Sequence, residues 1–450
     1  MGSSRRGLAL NAQTVAHRAL AQPTVARRGT ARLAAIALAA TLAMTAHPAE
    51  AKRIFVPKEH RSLQKGIDAA SPGDTIWVSA GTYYGPFSVK KRLVLFGDSG
   101  SDNTILDGGD SVRVLDIEGV NGGAVVGFTI RRGKSPAGGG AHCVRDTSLM
   151  FAGCTLEKNW ESAISAWESF DFNLNELTFK DNQGSAVSLN FTAALIRNCE
   201  FFKNTGYSGG AISLIHSSSN LPIRNCSFIG NRADTATGGA INADSSEVII
   251  ADCDFSSNSA KVAGGAVCAM NGSRLGISHS YFIENSAKAS GAINVDTSGL
   301  NLMGSTFDHN TALGFGSAIG MIGRALANIN PLIQSNTFYK NAATTEGTTI
   351  WSERVSPEIK KNIFVVEAKQ RAVSGIGSSP LYQCNLIHDP SGEAIGALPS
   401  SDTLVGDPLF CDAPHRNFYL RDLSPAALAS CGLVGAFPKR CSSFQLAPAK

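Results

Sequence analysis

One phrase returns along this chain at the spacing of a stacked architecture: F-x-x-N, a short turn, then G-G-A-[IV] or a near variant. Its first position is Leu156, Phe179, Phe201, Phe228, Phe255, Phe282, Phe307 and Phe338. The Asn three residues later is Asn159, Asn182, Asn204, Asn231, Asn258, Asn285, Asn310 and Asn341. Successive units lie 23, 22, 27, 27, 27, 25 and 31 residues apart. The second half keeps step through Ala141, Ala163, Ala186, Ala211, Ala240, Ala266, Ala292 and Ala318. A period in this range means a solenoid or array, in which each unit hides its apolar face only against its neighbours.

The unit from Gly238 to Gly265 shows what is repeated. Its apolar runs, such as Val248-Ile249-Ile250, are three to five residues long, rich in Val, Ile and Phe, and bounded by Gly, Ser, Asn and Asp. Runs of that length read as strands, since none is long enough for a helix. Three short strands and three corners fill the period, and the expected fold is all-β: a right-handed parallel β-helix. In-register stacking places Ile164, Val187, Ile212, Ile241, Val267, Ile293 and Ile319 in one inward column and the Phe residues in another, with like side chains about 4.8 Å apart. The Asn column is expected to bond along a corner, amide to amide and amide to backbone, with Asn also supplying the left-handed backbone of the turn. By the same alignment His142 falls where other coils place Ile or Val, and reads as a satisfied core residue. Cys154, Cys199, Cys226 and Cys253 share a further position with Ser280, Ser305, Asn336 and Asn362, so that column is a packing position before it is a disulfide ladder. Cys143 and Cys268 read as recurring together at another.

Arg27, Arg28 and Arg32, the apolar run Leu33 to Met44 and Ala49-Glu50-Ala51 have the order of a secretory signal, so residues 1–51 are expected to be removed and the protein exported. Twelve apolar residues are too few to span a bilayer. The formal charge of +4 belongs to that segment: residues 1–51 hold six Arg and one Glu, which leaves 34 basic and 35 acidic residues. Nucleic acid is therefore not an expected partner. Export permits disulfides, and one is expected among Cys411, Cys431 and Cys441, outside the repeats.

The pattern changes at both ends. Arg61 to Ala70 reads as an amphipathic helix before the strands Thr75 to Val78 and Leu93 to Phe96, so residues 52–108 form an N-terminal helical cap and first coils. Such a cap covers an otherwise open sheet edge. Residues 109–400 carry the repeats. Residues 401–450, through Leu404–Phe410, Ser424-Pro425 and Gly432–Ala436, form an irregular C-terminal cap over the last coil.

These segments resemble known families. "IDAASPGDTIWVSAGTYYGPFSVKKRLVLFGDSG" is similar to the N-terminal region of pectate-lyase-like and pectin-esterase-like β-helix proteins. "GGAI … NCSFIGN … GGAI" resembles the repeats of chlamydial polymorphic outer-membrane proteins. "GDPLFCD … DLSPAALASCGLVGAFP" looks like the close of many secreted bacterial β-helix proteins. The resemblance implies the fold and leaves the activity open, because the scaffold hosts lyases, hydrolases, esterases, epimerases and adhesins. The D-F-I-F-G-type motif of pectin esterases, the N-T-D, D-D and G-H-G motifs of polygalacturonases and the D-P-H-E-type motif of epimerases are missing from the sequence.

For chemistry, the strip after G-G-A (Ser165, Ser188, Ser213, Asn242, Cys268, Asn294) is neutral. Asp244 and Asp296 share a corner position two coils apart, roughly 9–10 Å, too far for one calcium ion unaided. No Cys/His metal spacing occurs, so no cofactor is expected, with calcium needed only by a lyase. The best cluster for a glycan is Arg131, Arg132, Arg145, Lys158, Trp160 and Trp167, with Lys134, Lys180, Lys203 and Phe170 nearby. Aromatic faces stack on sugar rings and cations suit an acidic polysaccharide; outward lysines and rings at solenoid corners are as readily plain solvated surface. The expectation is a secreted or cell-surface monomer contacting extracellular polysaccharide or another cell-surface component without catalysis. The alternative is a polysaccharide lyase or glycoside hydrolase acting on acidic glycans such as pectin.

Overall fold

The computed structural model describes residues 51–217, 220–323, 330–345, 347–392, 401–439 and 441. The expected signal segment, apart from Ala51, lies outside them. Up to the strand Leu404–Val405, the described residues from Ala51 form a right-handed parallel β-helix with two 14-stranded sheets and one 12-stranded sheet. Each coil visits the 12-stranded sheet (such as Ile241–Asp244), then the first 14-stranded sheet (Glu247–Ala251), then the second (Asp254–Ser256). We call these the Ile sheet, the middle sheet and the Phe sheet. The expected three strands per coil are joined in six coils by a fourth, from Thr205–Gly206 to Ala342–Ala343.

The interior is a set of side-chain columns. From Phe179 to Phe364 the rings stack at centroid distances of 4.6–4.9 Å, most of them within 5° of parallel. Burying one such side chain stabilises by about 1.5–3 kcal/mol, so the column is a main source of the fold's stability.

All three corners are hydrogen-bond ladders. At the corner after the Phe sheet, Asn231 Oδ1 accepts from the Asn204 backbone N–H at 3.0 Å, while its Nδ2 donates to Phe201 O at 3.0 Å and to Asn258 Oδ1 at 3.1 Å. The pattern holds from Asn159 to Asn341. The corner after the middle sheet runs through the free thiols Cys199, Cys226 and Cys253, then Ser280, Ser305, Asn336, Asn362 and Asn385. The corner after the Ile sheet runs Asp146, Ser169, Thr192, Ser217, Ser246, Ser273, Ser298. In the Asn, Ser and Thr stretches a side-chain oxygen takes the backbone N–H that a corner would otherwise bury unpaired, whereas Cys199, Cys226 and Cys253 donate Sγ–H to backbone carbonyls. The left-handed residue is not the Asn itself, as expected from sequence, but the residue before it: Lys158, Asp181, Lys203, Gly230, Ser257, Glu284, His309 and Lys340. The turn takes its curvature there and leaves Asn with ordinary backbone.

Register corrects two readings. Ala141 pairs with Ile164, so His142 pairs with Ser165 on the outward strip, not with the inward aliphatics. The left-handed glycine sets this: Gly138 (φ 66°) corresponds to Gly209 (φ 65°) and Gly238 (φ 68°), and the extra glycine Gly140 then stands where Ala211 stands. In consequence Cys143 belongs to the inward column of Ala166 and Leu189, and Cys268 to the outward one of Ser213 and Asn242. The two cysteines do not recur together.

At the N-terminal end, the helix Leu63–Ala69 is capped by Ser62, whose Oγ accepts from Lys65 N. Leu63 and Ile67 are buried, and a side chain at Gly66 would meet Val56 Cγ2 at 2.8 Å, so glycine lets the helix lie close. The described C-terminal segment does more than cover the last coil. After the strand Leu404–Val405 it turns back along the outside of the Phe sheet, where Phe410, Phe418, Leu420 and Val434 bury against Ile363, Val365 and Leu386. Arg416 reaches Asp308 at 2.7 Å and Glu284 at 2.5 Å, coils away from the end. Cys411–Cys441 closes the segment on itself, and Cys384–Cys431 ties it to the last coils. The second bond was hidden in the sequence because Cys384 sits within the repeats.

Candidate functional site

The six candidate residues fall on two corners at opposite ends of the Ile-sheet strands. Arg131, Arg132, Lys158 and Trp160 lie at the Asn corner, before the strand Ile164–Trp167; Arg145 directly follows the strand Ala141–Val144 and Trp167 ends the strand Ile164–Trp167. The structure therefore does not bring the cluster together as one site.

At the Asn corner both arginines serve one carboxylate. Arg131 Nε lies 2.8 Å from Asp107 Oδ2, and Arg132 approaches the same oxygen at 2.7 Å. The Asp107 side chain is fully buried. Burial alone would raise its pKa, but the hydrogen bonds from Arg132, the Gly109 N–H and Arg131 outweigh it and hold the carboxyl below the usual range. Lys158 follows Arg132 one coil on and has no ion-pair partner among the described residues. Trp160 is 41% exposed, with Lys134 Nζ 5.3 Å from its ring centroid.

At the other corner Arg145 pairs with Glu118 at 2.7 Å, both exposed. Trp167 is 43% exposed and begins a run of outward rings. Its centroid lies 5.9 Å from that of Phe191, which lies 5.0 Å from that of His216 at an interplanar angle of 21°. Phe170 and Ile215 flank the run, both exposed. Phe191 and His216 are missed by the sequence reading, although a signal existed: each directly precedes a ladder residue, Thr192 or Ser217, at the left-handed position where Ser245 and Thr297 stand in later coils. A Phe held there at φ 49° points outward at a site where polar residues are cheaper.

The remaining titratable groups are engaged or scattered. Asp146 is buried, its Oδ1 accepts from Val120 N at 2.8 Å, and burial pushes its pKa up to about 6. His142 is half-buried with Nδ1 unpartnered, and burial together with Arg113 lowers its pKa. Asp244 bonds Ser245 and Asn271, and Asp296 bonds Thr297. No three His, Cys, Asp or Glu side chains converge among the described residues, and no set is assigned to calcium. None of their helices is long and apolar enough to cross a membrane.

The right-handed beta helix region family matches residues 93–228 and 210–387. Among solved structures, a mutant of the PL6-family alginate lyase AlyGC superposes with a TM-score of 0.53 at 14% identity, covering 85% of this chain and 56% of that one. AlyGC itself gives 0.50 at 12% identity, covering 88% and 60%. The catalytic domain of a GH87 α-1,3-glucanase in complex with nigerose gives 0.37 at 10% identity, covering 80% and 69%. This chain thus spans 56–60% of the length of the two AlyGC chains. At such identities the likeness to the AlyGC chains is one of fold. No curated protein sequence matches this chain.

Proposed function

The chain belongs to the right-handed β-helix family, and from that premise we propose that it contacts extracellular polysaccharide along its flank and does not cut the glycan chain. The observation that carries this reading is the outward run Trp167–Phe191–His216, with Phe170 beside it. Rings repeated once per coil offer successive sugar residues successive faces, and the negative ring face attracts the C–H groups of a pyranose. Large apolar groups held outward cost more than polar ones, so their presence on a rigid scaffold points to a contact. Trp160 with Lys134 offers a second, cationic contact at the opposite corner.

The preference for binding over cleavage comes from what the cations already do. A lyase needs one basic side chain to take the proton and another to neutralise the uronate carboxylate. Arg131 and Arg132 are held by Asp107, and Arg145 by Glu118. Lys158 stands apart from the aromatic run. A secreted monomer is the form in which such a flank would meet its ligand.

Affinity electrophoresis of the full chain through gels containing neutral or acidic polysaccharides tests the reading, with product sugars and new double bonds assayed in parallel. Retardation without product is expected. Turnover of any glycan, or free migration through all of them, would end it.

A further inference from the structure

The fourth strands found in six of the coils build a groove that the aromatic run does not touch. It has a volume of about 770 Å³ and is lined over five of these strands, from Arg232–Ala233 to Ala342–Ala343. Five strands one coil apart span about 19 Å. A second stretch of about 650 Å³ shares Ala342 and Thr344 with it and continues to Arg371. The floor is a column of buried alanines, Ala233, Ala260 and Ala287, continued by Ala312. Along one side run Ser259, Ser286 and Thr311, paired in register.

The charges in the groove are one-sided. Lys261 and Lys288 directly follow the paired Ala260 and Ala287, which puts two exposed ammonium groups in neighbouring coils. Neither has an ion-pair partner among the described residues, and the same holds for Lys369 and Arg371 further along. The groove's lining carboxylate is Asp234, and it pairs with Arg232. The register shifts just after Ala260, so Lys261 and Lys288 are not direct partners, but like charges on adjacent strands repel and the fold gains nothing from placing them there.

We propose that this groove binds an extended anionic polysaccharide, its chain parallel to the solenoid axis, with carboxylate or sulfate groups meeting Lys261 and Lys288 and ring hydroxyls meeting Ser259, Ser286 and Thr311. The proposal rests on the reading that the chain contacts polysaccharide, and it adds a second site and the charge of its ligand. A polysaccharide fits better than other polyanions for two reasons. The lining residues hold no ring on which a nucleobase could stack. The alanine floor offers no pocket for the side chains of a peptide.

The test compares the full chain with Lys261→Glu/Lys288→Glu and with Trp167→Ala/Phe191→Ala, against a polyuronate, a sulfated dextran and a neutral dextran. The polyuronate and sulfated arms separate the two sources of negative charge. Charge reversal should weaken binding of at least one polyanion tenfold or more, and added salt should weaken the wild type. The ring variant should lose neutral-dextran binding, while what polyanion binding it has should keep the salt dependence that charge reversal removes. Unchanged polyanion binding by the lysine variant overturns the proposal. Binding of neutral glucan alone also overturns it while leaving the flank reading intact, and loss of every glycan would sink both. Should charge reversal unfold the chain by circular dichroism, Lys261→Gln/Lys288→Gln keeps the comparison, with at least a threefold loss expected.

Discussion

Replacing Asn231 by Ala should cost the solenoid far more than the loss of one small side chain implies. The residue is fully buried in the middle of its ladder. Its removal takes the acceptor from the Asn204 N–H at 3.0 Å and the donor from the Phe201 carbonyl at 3.0 Å. Asn204 Nδ2 and Asn258 Oδ1 each lose one of two partners and keep the other. The Asn204 N–H, left without any partner, costs about 1–3 kcal/mol, and the Phe201 carbonyl, which also accepts within its sheet pairing, loses one of two donors, so the loss should be roughly 3 kcal/mol. The assay is urea unfolding followed by far-ultraviolet circular dichroism, with Asn301→Ala as control. Asn301 is exposed on the middle sheet, and its loss should fall within about 0.5 kcal/mol. Equal midpoint shifts for the two variants would refute the claim that ladder amides hold the corners. A change in transition slope would instead mean that the coils no longer melt together.

Two further predictions follow from the carboxylates. Asp146 has its pKa raised from 3.8 to about 6 by burial. The raised value means its contribution is fully present below the ordinary value and is lost as pH rises through about 6, a swing of about 3 kcal/mol. Asp146→Asn should therefore gain stability relative to wild type between pH 4 and pH 8, read from melting curves at both; a constant difference would contradict the burial account. Asp107 has the opposite sign: its lowered pKa gives stability present above the ordinary value and lost as pH falls through the lowered one. Arg131→Gln/Arg132→Gln should destabilise by about 3 kcal/mol, as expected on stranding a buried carboxylate, while leaving retardation by neutral glycans unchanged. Lost glycan binding with intact stability would instead make the pair a binding element.

How much of this was legible depended on whether a column repeats. The Phe stack, the Asn ladder and the Cys–Ser–Asn column could be read because stacking forces one residue type into one position, so the period exposes them. The Asp146–Ser298 ladder was harder, since Ser, Thr and Asp alternate in it and only their shared oxygen matters. His142 was misplaced because three glycines precede Ala141 and only the left-handed Gly138 says which of them starts the turn. The aromatic run went half seen: Trp167 and Phe170 stand out in one coil, but their neighbours Phe191 and His216 are 24 and 49 residues from Trp167 and adjacent only across coils. The backward course of the C-terminal segment had no signal, because irregular chain carries no period. The groove was invisible for the same reason as its floor is effective: alanines and serines mark nothing until they are stacked.

The most direct measurement is a tryptophan-fluorescence titration with defined oligosaccharides, run on wild type, Trp160→Ala, Trp167→Ala and Phe191→Ala. If the outward run is the contact, a saturable change seen in wild type should vanish in Trp167→Ala and weaken at least tenfold in Phe191→Ala. Trp160→Ala should retain it for neutral sugars. A wild-type response that survives Trp167→Ala and Phe191→Ala with unchanged affinity would place the glycan elsewhere and contradict the central claim.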